Sequence, residues 1–169
     1  MDLRSAILKE HSKKQCSLIV NYIGDDKNRF AELIKLFFSG EYRVTQRAGW
    51  PMSYCVQNHP ALINPYYKKL LTFLKRKDVH PAVERNIMRL LQDVDIPKRY
   101  QGEIMNSCFE YISDPQAAIA VKAFSLGVLK NLVKIYPEIL PEIKLIIEER
   151  WDSETAAFRS RAKMFLKMK

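Results

Sequence analysis

The stretch Ile119–Glu138, IAVKAFSLGVLKNLVKIYPE, decides the fold of this chain. It is apolar on nearly every side of a helix, yet it carries Lys122 near its start and Lys130 and Lys134 further on, and it ends at Tyr136-Pro137-Glu138. A helix that is apolar all round is covered on all sides by other elements. A lysine inside such a helix needs a partner, because an uncompensated buried charge is costly to desolvate. The stretch therefore predicts an interior helix sandwiched between neighbours, with Lys122 paired to an acid at a turn such as Asp78 or Asp114. Lys130 and Lys134 mark its wet edge.

The rest of the chain reads in the same way. Apolar residues recur at three- and four-residue steps, and no alternating Val/Ile/Thr run competes with them. The pattern predicts helices over Asp2–Glu10, Ser12–Gly24, Asp26–Ser39, Glu41–Asn58 with a kink at Pro51, and Pro65–Lys77. It continues with Pro81–Val94, Pro97–Ile112, Pro115–Tyr136, Glu138–Arg150 and Ser153–Met168. Pro65, Pro81, Pro97 and Pro115 precede or open helices, where a missing N–H costs nothing. Asp114-Pro115 reads as an N-cap followed by Pro at the first helical position, with Ser113 as the alternative cap. Gly24 and Gly40 read as helix stops. Connections of a few residues and the lack of a Gly/Ser/Pro-rich linker predict a single domain over 1–169.

Composition narrows the function classes. The chain has 169 residues, of which 47% are hydrophobic and 28% charged, enough for a packed core. Its apolar runs fall short of the ~20 residues of a membrane span. The N-terminus lacks the apolar region of a secretory signal, so a cytoplasmic location is the expectation. Cys16, Cys55 and Cys108 are far apart and read as reduced, buried thiols. His11, His59 and His80 are scattered as well, and no motif calls for a metal or cofactor. There is no P-loop, dinucleotide-binding glycine pattern or nucleophile elbow, so an enzyme is not the expectation. The formal net charge of +9 leans towards anionic partners.

A longer period underlies the helices. A base followed by a mostly small residue recurs early in every second helix: Arg47-Ala48, Arg85-Asn86, Lys122-Ala123 and Arg161-Ala162. The steps are 38, 37 and 39 residues, and Glu41, Asp78, Asp114 and Glu154 lie a little upstream. Repeats of this length are the mark of stacked helical hairpins.

These hairpins resemble HEAT repeats, most closely at Val83-Glu84-Arg85 and Val121-Lys122 and over Ala117–Arg150. The resemblance implies an all-α, right-handed superhelix of about four hairpins with an N-terminal cap. It also implies that the second helix of each hairpin lies on the concave side. Arg47, Arg85, Lys122 and Arg161 would then form a ladder on or just under that surface, paired with acids at the repeat turns. Arg43, Arg47, Trp50 and Tyr54 share one helix face, and Arg85 and Arg89 share the next. The eight residues are the candidate binding site. Arginine, tryptophan and tyrosine together suit an acidic peptide, phosphates or stacked bases.

The leading expectation is a monomeric, non-enzymatic scaffold that binds an acidic protein or peptide. The alternative is nucleic-acid binding, since the chain is also similar to a HEAT-like DNA alkylation repair family in being short, basic and helical. That family carries aromatics and a catalytic Asp on its concave helices. Here Trp50 and Tyr54 are present, but Asp93 and Asp95 sit at a helix end and read as turn residues.

Overall fold

A computed structural model describes residues 1–76, 78 and 80–168. Ten α-helices and two short 3-10 helices account for the regular structure, with no strand among the described residues. The helices are α1 (Leu3–Lys9), α2 (Lys13–Ile23), α3 (Lys27–Phe37), α4 (Tyr42–Asn58) and α5 (Tyr67–Leu74), then α6 (Pro81–Leu91), α7 (Lys98–Ser113), α8 (Ile119–Val133), α9 (Leu140–Arg150) and α10 (Ala156–Lys167). Contacts divide the chain into two compact units, Met1–Asp95 and Ile96–Lys169.

Local chemistry sets the helix starts. The side chains of Asp2, Ser12, Asp26, His80 and Thr155 each accept a hydrogen bond from a backbone N–H of the first turn that follows. The proline-opened α6 is capped by the imidazole Nδ1 of His80, 3.0 Å from Ala82 N. Gly24 ends α2 at φ 52, and Gly40 follows α3 at φ 84, where a Cβ would be strained.

Several boundaries differ from the sequence expectation: α6 stops at Leu91 and not Val94, α8 stops at Val133 and not Tyr136, α10 begins at Ala156 and not Ser153, and three further differences change the local structure. The helix expected over Pro65–Lys77 is a 3-10 helix over Pro60–Tyr66 followed by α5; Lys77 lies outside the described residues. The helix expected from Pro115 begins at Ile119, after Ala118. Asp114 spends its carboxylate on a local turn, accepting from Gln116 N at 2.8 Å, so it does not cap α8. The helix expected from Glu138 is a 3-10 turn, Pro137–Ile139, that leads into α9.

In the first unit the hairpins α3–α4 and α5–α6 follow α1 and α2. Helix α4 is central and packs on α1, α2, α3 and α6. Its Val44, Ala48, Met52, Cys55 and Val56 are buried, and it runs on through the buried Pro51. Its crossing with α6 is close: a Cβ on Gly49 would stand 2.2 Å from Asn86 Cγ. In the second unit the hairpins are α7–α8 and α9–α10, and α8 packs on both α7 and α10. Ten of the residues of α8 are buried, around most of the helix, while Ala120, Phe124 and Asn131 make a half-buried strip. The residues that follow the repeated base, Ala48, Asn86, Ala123 and Ala162, are all buried.

The repeat period is visible in the polar contacts too. In the first unit side-chain hydrogen bonds join residues 37 apart (Arg4 to Glu41), 39 apart (Arg47 to the Leu8 carbonyl) and 36 apart (Gln57 to Asp93). In the second they join residues 35 apart (Tyr136 to Gln101), 37 apart (Arg150 to the Ser113 carbonyl) and 32 apart (Lys122 to Glu154). Stacked repeats touch their neighbours at nearly equivalent positions, so separations near one period follow from the stacking.

Candidate functional site

In the first unit α4 lies between α2 and α6, and these three helices carry the candidate residues of that unit. They bear six basic side chains, Lys13, Lys14, Arg43, Arg47, Arg85 and Arg89, and a single carboxylate, Glu84. The remaining acids of this region sit mostly in caps and turns, where backbone N–H groups or nearby arginines engage several of them. Asp26 accepts from two backbone N–H groups at the start of α3. Arg4 pairs with Glu41 at 2.5 Å, and Arg76 pairs with Asp78 at 2.5 Å. The Asp78 carboxyl is held down at about 2, chiefly by the hydrogen bond from Arg76.

The expected residues take different roles here. Arg43 is exposed. Arg47 is half-buried and its Nη1 donates to the Leu8 carbonyl at 2.8 Å, while Gln15 Nε2 donates to the Ala6 carbonyl at 2.7 Å. The last carbonyls of a helix have no partner within it, and the helix dipole places partial negative charge there. Arg47 and Gln15 together close the C-terminus of α1, so the positive charge of Arg47 has a structural use. Arg85 is half-buried, and no carboxylate among the described residues lies within ion-pair reach of it. This corrects the expectation of a turn acid beside it: Asp78, the acid of its own repeat turn, is taken by Arg76. Arg89 is half-buried; burial raises the Cys16 thiol of α2, and the charge of Arg89 acts against that rise.

Trp50 is half-buried. Its ring lies 5.4 Å from that of His11 and 6.4 Å from that of Tyr54, and its indole N–H is buried without a partner among the described residues. It faces a small cavity shared with Glu10, Ser12, Gln15 and Arg47. A second groove runs between α2 and α4. Lys13, Ser17 and Asn21 form one wall, Tyr54 and Asn58 the other, and Cys16 lies in its floor. Sequence reasoning found Tyr54 but missed its neighbours on α2. The 3.6-residue repeat puts 13, 17 and 21 on one face, but nothing in the sequence says which face meets α4.

In the second unit Lys122 is the centre of a buried cluster. Its Nζ lies 2.7 Å from Glu154 Oε1 and 3.5 Å from the Pro115 carbonyl. Arg150 donates to the same Oε1 through Nη2 at 2.7 Å and Nε at 3.0 Å, and through Nη1 to the Ser113 carbonyl at 3.1 Å. The side chains of Lys122 and Glu154 are 5% and 2% exposed. Burial by itself would raise the Glu154 carboxyl, but the hydrogen bonds from Lys122 and Arg150, with their charges, outweigh it and hold the group below the ordinary range. The partner of Lys122 is thus Glu154, the acid of the following repeat, and not Asp78 or Asp114. Asp78 serves Arg76 and Asp114 serves its own turn. Arg161 is half-buried, with its guanidinium 5.5 Å over the Phe124 ring. Neither Lys122 nor Arg161 presents a free charge in the way a binding ladder would need.

Among the described residues no three His, Cys, Asp or Glu side chains are grouped to hold a metal, and no helix is long and apolar enough to cross a membrane. Helical hairpins joined at one-repeat intervals define a helical-repeat scaffold. The chain belongs to the HEAT repeat domain family, whose model matches residues 3–168. Domains of this family are typically protein-interaction scaffolds and are generally non-catalytic. No curated protein and no solved structure matches the chain.

Proposed function

We propose that this HEAT repeat domain is a non-catalytic binding module, and that the α2–α4–α6 face of its first unit takes an acidic segment of a protein partner. The observation that carries this reading is the charge imbalance of these three helices, six basic side chains against one carboxylate, with Lys13, Lys14 and Arg43 exposed. Opposed charge at an interface steers association and excludes partners of the wrong sign. An acidic protein segment is favoured over nucleic acid by the state of Trp50. A stacking platform needs an open ring face and a continuous cationic track. Trp50 is instead packed beside His11 and Tyr54 with its N–H inside, and Arg47 is committed to α1.

The test is fluorescence anisotropy with a labelled glutamate–alanine peptide, set against a glutamine–alanine control. Binding of the first and not the second is expected, and Arg43→Glu with Arg85→Glu should weaken it. No binding by the wild-type chain, or salt-sensitive binding of duplex DNA in preference to the peptide, overturns the reading.

A further inference from the structure

We infer that the groove between α2 and α4 is the subsite that holds an individual glutamate or aspartate side chain of the acidic segment. This rests on the function proposed above and locates it.

The groove offers hydrogen-bond donors from both walls: the Lys13 ammonium, the Ser17 hydroxyl and the Asn21 amide on α2, and the Tyr54 hydroxyl and the Asn58 amide on α4. No carboxylate lines it. The positions are fixed by helix geometry, because residues four apart stand one above another on the same face. Lys13, Ser17 and Asn21 make one such row, and Tyr54 and Asn58 another. The side chains of Lys13, Ser17, Asn21 and Asn58 are exposed and ready to bind, and Cys16 in the floor is buried. An apolar floor under a polar rim suits the methylenes of a glutamate below its charged end. The carboxylate nearest in sequence to the end of α6, Asp93, accepts from Gln57 Nε2 at 2.7 Å. One ammonium among neutral donors matches one carboxylate, as charge-assisted hydrogen bonds require.

The experiment extends the anisotropy titration to three variants. Lys13→Glu reverses the one charge in the groove at an exposed position in the first turn of α2, where an acid agrees with the helix dipole. Tyr54→Phe keeps the ring beside Trp50 and removes only the hydroxyl. Lys68→Glu makes the same charge change on α5, away from the groove. We expect Lys13→Glu to weaken the glutamate–alanine peptide by about tenfold or more and Tyr54→Phe by about threefold, with Lys68→Glu close to wild type. Thermal melts of all three should match wild type. If Arg43→Glu with Arg85→Glu weakens binding but Lys13→Glu and Tyr54→Phe do not, the groove is not the subsite, although the broader reading survives. Equal loss with Lys13→Glu and Lys68→Glu also overturns the subsite, because net charge alone would then account for binding. If the wild-type chain does not bind the peptide, both fail together.

Discussion

Lys122 and Glu154, 32 residues apart, meet at 2.7 Å inside the second unit, and Arg150 closes on the same oxygen. One acid thereby joins the start of α8 to the turn before α10, and Arg150 carries the link to the Ser113 carbonyl at the end of α7. This is a register clamp between repeats. Removing one partner of a buried pair leaves an uncompensated charge, which typically costs about 3–5 kcal/mol. Glu154→Gln should therefore lower the urea midpoint substantially. Lys122→Met should cost less, because Glu154 keeps Arg150. A Glu154→Gln midpoint equal to wild type would remove the clamp.

The same carboxylate makes stability depend on pH. The folded-state pKa of Glu154 is lowered, so the folded chain takes up its proton less readily than the unfolded chain. Its contribution is present above the unfolded value of about 4.3 and is lost as the pH falls through the lower folded value. The stability gap between wild type and Glu154→Gln should be constant near neutrality and narrow below about pH 4. Urea titrations of both proteins at neutral and acid pH measure it directly. A gap that widens in acid would contradict the assignment.

Gly49 and Asn86 set the spacing of α4 and α6. A Cβ at Gly49 would stand 2.2 Å from Asn86 Cγ, and the Asn86 amide is held to the Ala82 carbonyl at 2.8 Å. Gly49→Ala should destabilise by about 1–3 kcal/mol through overpacking. Adding Asn86→Ala frees the space, so the double variant should recover part of the loss. A double-mutant cycle reads the coupling, and strict additivity would count against the close approach.

Arg47 anchors α1 through the Leu8 carbonyl. Arg47→Ala should cost about 1–2 kcal/mol. Its particular signature is faster amide exchange in α1, with α8 unchanged. Unaltered exchange in α1 would show that the contact does not hold that helix.

The thiols should be slow to react in the folded chain. Burial raises Cys16 to about 11 and Cys55 to about 12, and it raises Cys108 further still. The thiolate is the nucleophile, so Ellman's reagent should modify all three rapidly only after denaturant is added. Rapid modification of any of them in native buffer would contradict the packing.

Much of the fold was legible in the residues themselves. The apolar girdle of Ile119–Val133 announced an interior helix, and the recurrence of base and small residue picked out Ala48, Asn86, Ala123 and Ala162, all of them buried. Helix starts were readable where a short polar side chain precedes the first turn at Ser12 and Asp26, but the start of α10 was read at Ser153 when Thr155 is its cap. They misled at Asp114, because an Asx turn uses the same residue and the same Pro for a different local structure. Of the candidate site, Tyr54 and the basic character of the face were legible, whereas Lys13, Ser17 and Asn21 were not.

Periodic patterning determined that this chain is all-helical, that its hairpins repeat at 37–39 residues, and that Lys122 needs an acid. Only the tertiary structure decided which acid. Every repeat turn supplies a carboxylate, so sequence leaves several equivalent partners, and the choice rests on short-range geometry. Asp78 is within reach of Arg76, Asp114 folds onto its own turn, and Glu154 alone is buried where the Lys122 ammonium ends. Arg47 went to a helix terminus for the same reason. Charge and period say that a base needs a partner, and packing decides which groups lie within three ångströms of it.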